Sequence, residues 1–219
     1  MSQGSSESSS SPVTPHSSSV SVILFDVGGV LIELGGVAPM LQWLGYRMAS
    51  EELWRNWLHS SSVRDFETGR IQADEFALRL IDELDLRVDP QQFLHSFAGW
   101  PTGPFPGVLD LVERIPARYV RAVLSNSNAL HWPRVHDTLG SLFSHYFVSH
   151  LTGRIKPDAA AFEHVTATLQ CRPDNVLFLD DNLLNVEAAR RLGMQAFVVR
   201  GTNDVHRALQ NAGVLDTAG

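Results

Sequence analysis

Cysteine is almost absent: the chain has 219 residues and one cysteine, Cys171. No intramolecular disulfide can form, and a Cys/His zinc cluster has nothing to build on. Cys171 reads as a small, semi-buried filler rather than a nucleophile. Basic charge is also scarce. Lys and Arg total 17 against 24 Asp and Glu, giving a formal net charge of −7. An acidic chain with no basic run is a poor match for nucleic acid or an anionic membrane surface, although one local cationic pocket remains compatible with it. Long hydrophobic runs are missing too. The most apolar stretch, Val20 to Leu34, is shorter than a bilayer-spanning helix and is broken by Asp26 and Gly28-Gly29. No basic segment followed by an apolar run opens the chain, so no secretory signal is expected, and the expected compartment is the cytoplasm. The nine histidines show no metal-ligand spacing. Nothing in the sequence reads out an oligomeric state.

What is present is a core. Apolar residues make up 44% of the chain, enough for one domain of ordinary size with a small inserted module. Residues 1–19 hold ten serines and almost no large apolar group, so a disordered tail is expected there. Order is expected from Val20. The run Val22-Ile23-Leu24-Phe25 reads as a strand buried on both faces, and it ends in Asp26 and a glycine pair. The pattern returns at Tyr119 to Leu124, Val176 to Leu179 and Ala196 to Val199, with a shorter candidate at Tyr146 to Ser149. Helical segments separate them: Gly107 to Ile115, Ala129 to Leu142, Pro157 to about Leu169, Asn185 to Leu192, and Asp204 to Ala212. The alternation predicts an α/β fold, a Rossmann-like parallel sheet flanked by helices.

Residues 36–100 break this rhythm. No strand is predicted, and helical spacing runs through Met40 to Met48, Glu51 to His59, Ala73 to Leu84 and Pro90 to Ala98. Asp89-Pro90-Gln91-Gln92 supplies an N-cap, a first-turn proline and a Gln three residues on. The expected organisation is therefore a core of residues 20–35 and 101–219 with a helical insertion at 36–100, re-entered through a Pro/Gly-rich linker. Trp43, Trp54 and Trp57 are expected in the core of that insertion rather than on a ligand platform.

In open α/β sheets, ligands bind beyond the carboxyl ends of the strands. Those ends carry Asp26, Ser125-Asn126 and Asp180-Asp181, and Lys156 stands just before a predicted helix. Singly, each has a plain reading. An Asp after a strand often caps a helix, Ser-Asn makes turns, and a lysine is usually a solvated surface group. Jointly they suit phosphoryl transfer. Carboxylates hold a hard cation, one of them attacks phosphorus, and a lysine and a hydroxyl take the phosphate oxygens.

The residues also resemble a known family. Phe25-Asp26-Val27-Gly28-Gly29-Val30-Leu31, Leu124-Ser125-Asn126, Lys156-Pro157-Asp158 and Phe178-Leu179-Asp180-Asp181-Asn182 resemble, in order, the four motifs of the haloacid dehalogenase superfamily. The likeness is to the phosphatase subfamily with a helical cap between the first and second motifs. Phe66-Glu67-Thr68-Gly69-Arg70-Ile71 is similar to a stretch common in that cap. The resemblance implies a magnesium-dependent phosphatase of a small phosphorylated metabolite. Asp26 would be the nucleophile. Asp26, the Gly28 carbonyl, Asp181 and Asp180 would hold Mg²⁺. Ser125, Asn126 and Lys156 would bind phosphate, with Asn126 and Asn182 as supporting residues.

The chain departs from that pattern at Gly28, where most such phosphatases carry an aspartate acting as general acid and base. Such a group is worth about 10²–10⁴-fold in rate. Three explanations stand open: a leaving group that needs little protonation, a substitute from the insertion or a water (Glu33, Asp65 or Glu67), or weak activity. Sugar-phosphate phosphatases similar to this chain, including those acting on glucose 1-phosphate, have glycine there, which favours activity on a sugar phosphate. Two rivals remain: a metal-independent haloacid dehalogenase, against which the Asp180-Asp181 pair argues, and a phosphate-binding regulator. His131 and Trp132 could line the pocket or merely pack.

Overall fold

A computed structural model describes residues 20–216, so the expected Ser-rich tail lies outside the described residues. In chain order the first elements are β1 (Val22–Phe25), β2 (Ile32–Leu34), α1 (Val37–Trp43), α2 (Ser50–His59), α3 (Ser61–Glu67), α4 (Ala73–Leu84) and α5 (Pro90–Ala98). There follow β3 (Pro101–Pro104), α6 (Val108–Glu113), β4 (Val120–Ser125), α7 (Trp132–Leu139), β5 (His145–Val148) and α8 (Ser149–Thr152). The last are α9 (Ala159–Leu169), β6 (Val176–Asp180), α10 (Leu183–Arg191), β7 (Gln195–Val198) and α11 (Gly201–Asn211). Among the described residues no helix is long and apolar enough to cross a membrane.

Five strands form one parallel sheet in the order β5-β4-β1-β6-β7. β1 lies at its centre with all four residues buried, which is why its sequence is a continuous apolar run. Successive side chains alternate between the two faces. Ile23, Phe25, Leu177 and Leu179 pack under α6, α7 and α11, through Leu111, Val135 and Leu209 among others. Val22, Leu24, Val176 and Phe178 pack under α9 and α10, through Phe162 and Val186. The expected α/β fold is the observed one. Strand order reverses beside β1, and the crevice at such a switch point is where these sheets bind ligands.

Helices α1–α5 close on a separate cluster rich in aromatic rings. Trp43 and Trp57 are buried in it and Trp54 packs against it. Phe76 is its hub: fully buried, stacked on Phe66 with centroids 4.3 Å apart, and edge-on to Trp57 at 6.3 Å. Phe76→Ala is expected to cost about 3–5 kcal/mol. A urea-unfolding curve of the full chain checks this as a lower midpoint at unchanged slope.

Several boundaries differ from the sequence reading. The first helix of the insertion is Val37–Trp43, not Met40 to Met48, because Gly45 and Tyr46 turn left-handed (φ 61° and 55°). α3 was not foreseen; it is only two turns long, too short for periodicity to show, and Ser60 caps it through Val63 N–H at 3.1 Å. The Pro/Gly stretch at 101–104 is not a plain linker but β3, paired antiparallel with β2. Proline lacks a donor and is tolerated there because the two-stranded ribbon is all edge. Pro157 does not open α9; Asp158 is the N-cap and the helix starts at Ala159.

Candidate active site

Strand register brings the motif residues together. Phe25 lies opposite Val123 of β4 and Leu179 of β6, and Asp26 N–H donates to the Leu179 carbonyl at 2.8 Å. Asp26 therefore emerges between Ser125 and Asp180, the last residues of the flanking strands. Lys156 enters from the loop before α9. It is 3% exposed, and its Nζ donates to Asp26 Oδ1 at 2.6 Å and to Asp180 Oδ2 at 2.7 Å. It is also the only lysine in the chain, a signal the sequence reading passed over.

The surrounding polar groups fix these three. Asn126 grips the Lys156 main chain from both sides: Nδ2 donates to the Lys156 carbonyl at 3.0 Å, and Lys156 N–H donates to Asn126 Oδ1 at 2.9 Å. Asp180 accepts from Asn182 N–H at 2.8 Å and from Asn185 Nδ2 at 3.0 Å. Asn182 also caps α10 through Leu184 N–H at 3.0 Å. Asn185 was missed by sequence reasoning, because its role exists only once α10 turns its first-turn side chain back onto β6. Ser125 is buried, and its hydroxyl makes only a marginal 3.5 Å contact with the Asn126 carbonyl.

Carboxylate oxygens of Asp26, Asp180 and Asp181 lie within 4.8 Å of one another. Burial pushes Asp26 up to about 8; Lys156 opposes this, while Asp180 and Asp181 add to it. Asp181 is pushed up to about 6 by burial and by Asp180, with Lys156 and Arg200 pulling the other way. Burial works against the Lys156 charge, but Asp180 and Asp26 outweigh it and hold the ammonium protonated. With all three carboxylates ionised, one ammonium would leave two negative charges in a small space; a divalent cation with oxygen ligands would neutralise them and draw the carboxyls into their ionised forms. Gly29 has φ +76°, and a Cβ there would overlap the Asp181 carboxylate, so only glycine admits this approach. At Gly28 a Cβ would stand 2.9 Å from Leu34 Cδ1, so Leu34 occupies part of the space an acid–base side chain would need.

The remaining candidates separate. Glu33 is exposed on β2. Asp65 is paired with Arg70 at 3.2 Å and Arg79 at 3.5 Å. Glu67, the last residue of α3, is half-buried and close enough to feel the Lys156 ammonium. Trp132 is buried in the core. His131 joins the two parts of the molecule: its Nε2 lies 2.6 Å from the Phe97 carbonyl, and its ring packs on Phe97 at 4.2 Å. Burial lowers its pKa to about 4, so it is neutral at pH 7.

Comparison with known proteins gives the family and the fold. Residues 20–193 match the haloacid dehalogenase-like hydrolases. The chain is 22% identical over 184 residues to a D-ribitol-5-phosphate phosphatase of Bacteroides thetaiotaomicron, covering 80% of this chain and 89% of that one. It is 28% identical over 180 residues to a sesquiterpene phosphatase of Aspergillus oryzae, covering 78% and 85%. Its fold is similar to a crystal structure of a B. thetaiotaomicron enzyme in complex with magnesium and inorganic phosphate. The TM-score is 0.68 at 22% identity, over 84% of this chain and 96% of that one.

Proposed function

The chain belongs to the haloacid dehalogenase-like hydrolases, and on that premise we propose that it is a magnesium-dependent phosphatase of a small phosphorylated metabolite, a sugar or polyol phosphate foremost. The observation that carries this reading is the Lys156 ammonium shared by Asp26 and Asp180, with Asp181 close enough to complete a three-carboxylate cluster. The phosphatase names of the two relatives support the same reaction class.

In this reading Asp26, Asp181, Asp180 and the Gly28 main-chain carbonyl would hold Mg²⁺. When bound, the ion supplies the positive charge that lets a phosphate dianion approach a carboxylate. Asp26 attacks phosphorus, the bond to the leaving-group oxygen breaks, and an aspartyl phosphate forms on Asp26. The Lys156 ammonium and the Ser125 hydroxyl donate to the phosphoryl oxygens as negative charge gathers there. Asn126 keeps Lys156 in place, and Asn182 and Asn185 keep Asp180 in place. Water then attacks the acyl phosphate, releasing inorganic phosphate and restoring Asp26. Residues 36–100 act as a cap over this site, excluding bulk water and shaping the substrate pocket.

A metal-independent dehalogenase would use the same attacking aspartate, but it has no use for two further carboxylates beside it. Phosphate release from p-nitrophenyl phosphate and glucose 1-phosphate, and chloride release from 2-chloropropionate, distinguish the two. We expect phosphate release that stops with chelator and returns with magnesium, and no chloride. Chloride release indifferent to chelator would overturn the proposal. Gly29→Ala is expected to displace Asp181 and to weaken magnesium binding about 10–100-fold, read as a right-shifted magnesium titration of activity.

A further inference from the structure

Resting on the phosphatase reading, we infer that Glu67 is the general acid and base of the reaction, supplied by the cap in place of the carboxylate absent at Gly28. Three observations of placement support this. α3 is anchored to the core beside the catalytic lysine, through an ion pair between Arg64 and Asp158, two residues from Lys156. The turn after Glu67 is pressed onto α8: Gly69 has φ +73°, and a Cβ there would come within 2.8 Å of the His150 carbonyl. Thr68 is buried and its hydroxyl donates to the Arg64 carbonyl at 2.7 Å, which fixes the backbone immediately after Glu67. Glu67 is thus held at the interface between cap and core, where Lys156 is the charge that acts on it.

The charges around it are committed elsewhere. Arg64 is taken by Asp158, and Arg70 and Arg79 by Asp65. His150 lies on α8 and Lys156 is held by Asp26 and Asp180. Among the described residues the Glu67 carboxylate makes no hydrogen bond or ion pair. Its carboxylate oxygens keep access from solvent, so a substrate hydroxyl can reach them. Burial pushes Glu67 up to about 7, with Lys156 opposing, so both protonation states are populated near neutral pH. That suits a group that must give a proton and then take one.

The step balances as follows. As Asp26 bonds to phosphorus and the P–O bond to the substrate breaks, the departing alkoxide takes the Glu67 proton and leaves as an alcohol. In the second half, the Glu67 carboxylate takes a proton from the attacking water as that water bonds to phosphorus. Asp26 leaves as a carboxylate, and Glu67 is again protonated.

The test is kcat/KM for wild type and Glu67→Gln on two substrates with magnesium. D-Ribitol 5-phosphate has a primary alkoxide leaving group that needs a proton. p-Nitrophenyl phosphate has a phenolate that leaves without one. The variant is expected to lose about 10²-fold or more on the polyol phosphate and far less on the aryl phosphate. Its pH profile on the polyol phosphate should lose the limb near pH 7, and Glu67→Asp should recover part of the rate. Equal losses on both substrates, no loss on either, or a wild type that cleaves the aryl phosphate but no alkyl phosphate would overturn the assignment. If wild type instead released phosphate from neither substrate, the phosphatase reading would fall, and the assignment with it.

Discussion

Asp26→Asn is expected to abolish phosphate release, a loss of about 10⁴–10⁶-fold, the scale on which removing a covalent nucleophile acts. Asparagine keeps the shape of the side chain, but its amide is a poor nucleophile and a poorer ligand for a hard cation. The fold should survive the change. In wild type, burial is the main reason the Asp26 carboxyl is pushed up to about 8, and its two carboxylate neighbours add to it. The native state therefore keeps a proton that an unfolded aspartate has given up above about pH 4. Folded protein binds more protons than unfolded between those two values, so metal-free stability falls as pH rises from about 4 to 8. The variant removes that penalty. Its metal-free melting temperature should fall less over this range than that of wild type, while its activity is gone. Such a pairing of lost function with undiminished stability marks a residue kept for chemistry.

Lys156→Met is expected to lower phosphate release by about 10³–10⁵-fold, the range attached to a cation that clamps the transferring phosphoryl group. The stability effect is opposite to that at Asp26. Removing the ammonium leaves Asp26 and Asp180 buried without their counter-charge, and breaking a buried pair in this way costs about 3–5 kcal/mol. Magnesium should restore part of that stability but little of the rate. Arginine is not an adequate substitute, since a planar fork cannot occupy the compact position that puts one nitrogen 2.6 Å and 2.7 Å from two carboxylates. Steady-state kinetics and urea unfolding, each with and without magnesium, measure both effects.

Much of this was legible in the sequence, for physical reasons. β1 could be read because a strand buried on both faces must be apolar throughout, and α5 because Asp89-Pro90 starts a helix by chemistry that needs no tertiary context. Asp26, Ser125 and Asp180 could be read because each stands at the end of an apolar run, and Lys156 because it stands just before a helical segment. Side-chain partnerships could not. Asp26 and Lys156 are 130 positions apart, and the β1–β4 register and the Asn126 grip on the Lys156 main chain bring them within 2.6 Å. Asn185 depends on the direction of one helical turn. The β2–β3 ribbon hid in a Pro/Gly stretch whose pairing no local signal reveals. Glu67 was one of three candidates in the sequence; packing separated it from exposed Glu33 and ion-paired Asp65.

The central claim is that Asp26 carries the phosphoryl group, and the direct measurement is peptide mapping by mass spectrometry after an acid-quenched single turnover of p-nitrophenyl phosphate with magnesium. One phosphoryl group on the peptide containing Asp26, absent in Asp26→Asn and absent with chelator, is the predicted result. Phosphate released in full turnover with no phosphorylated protein, or with the phosphoryl group on another residue, would contradict it.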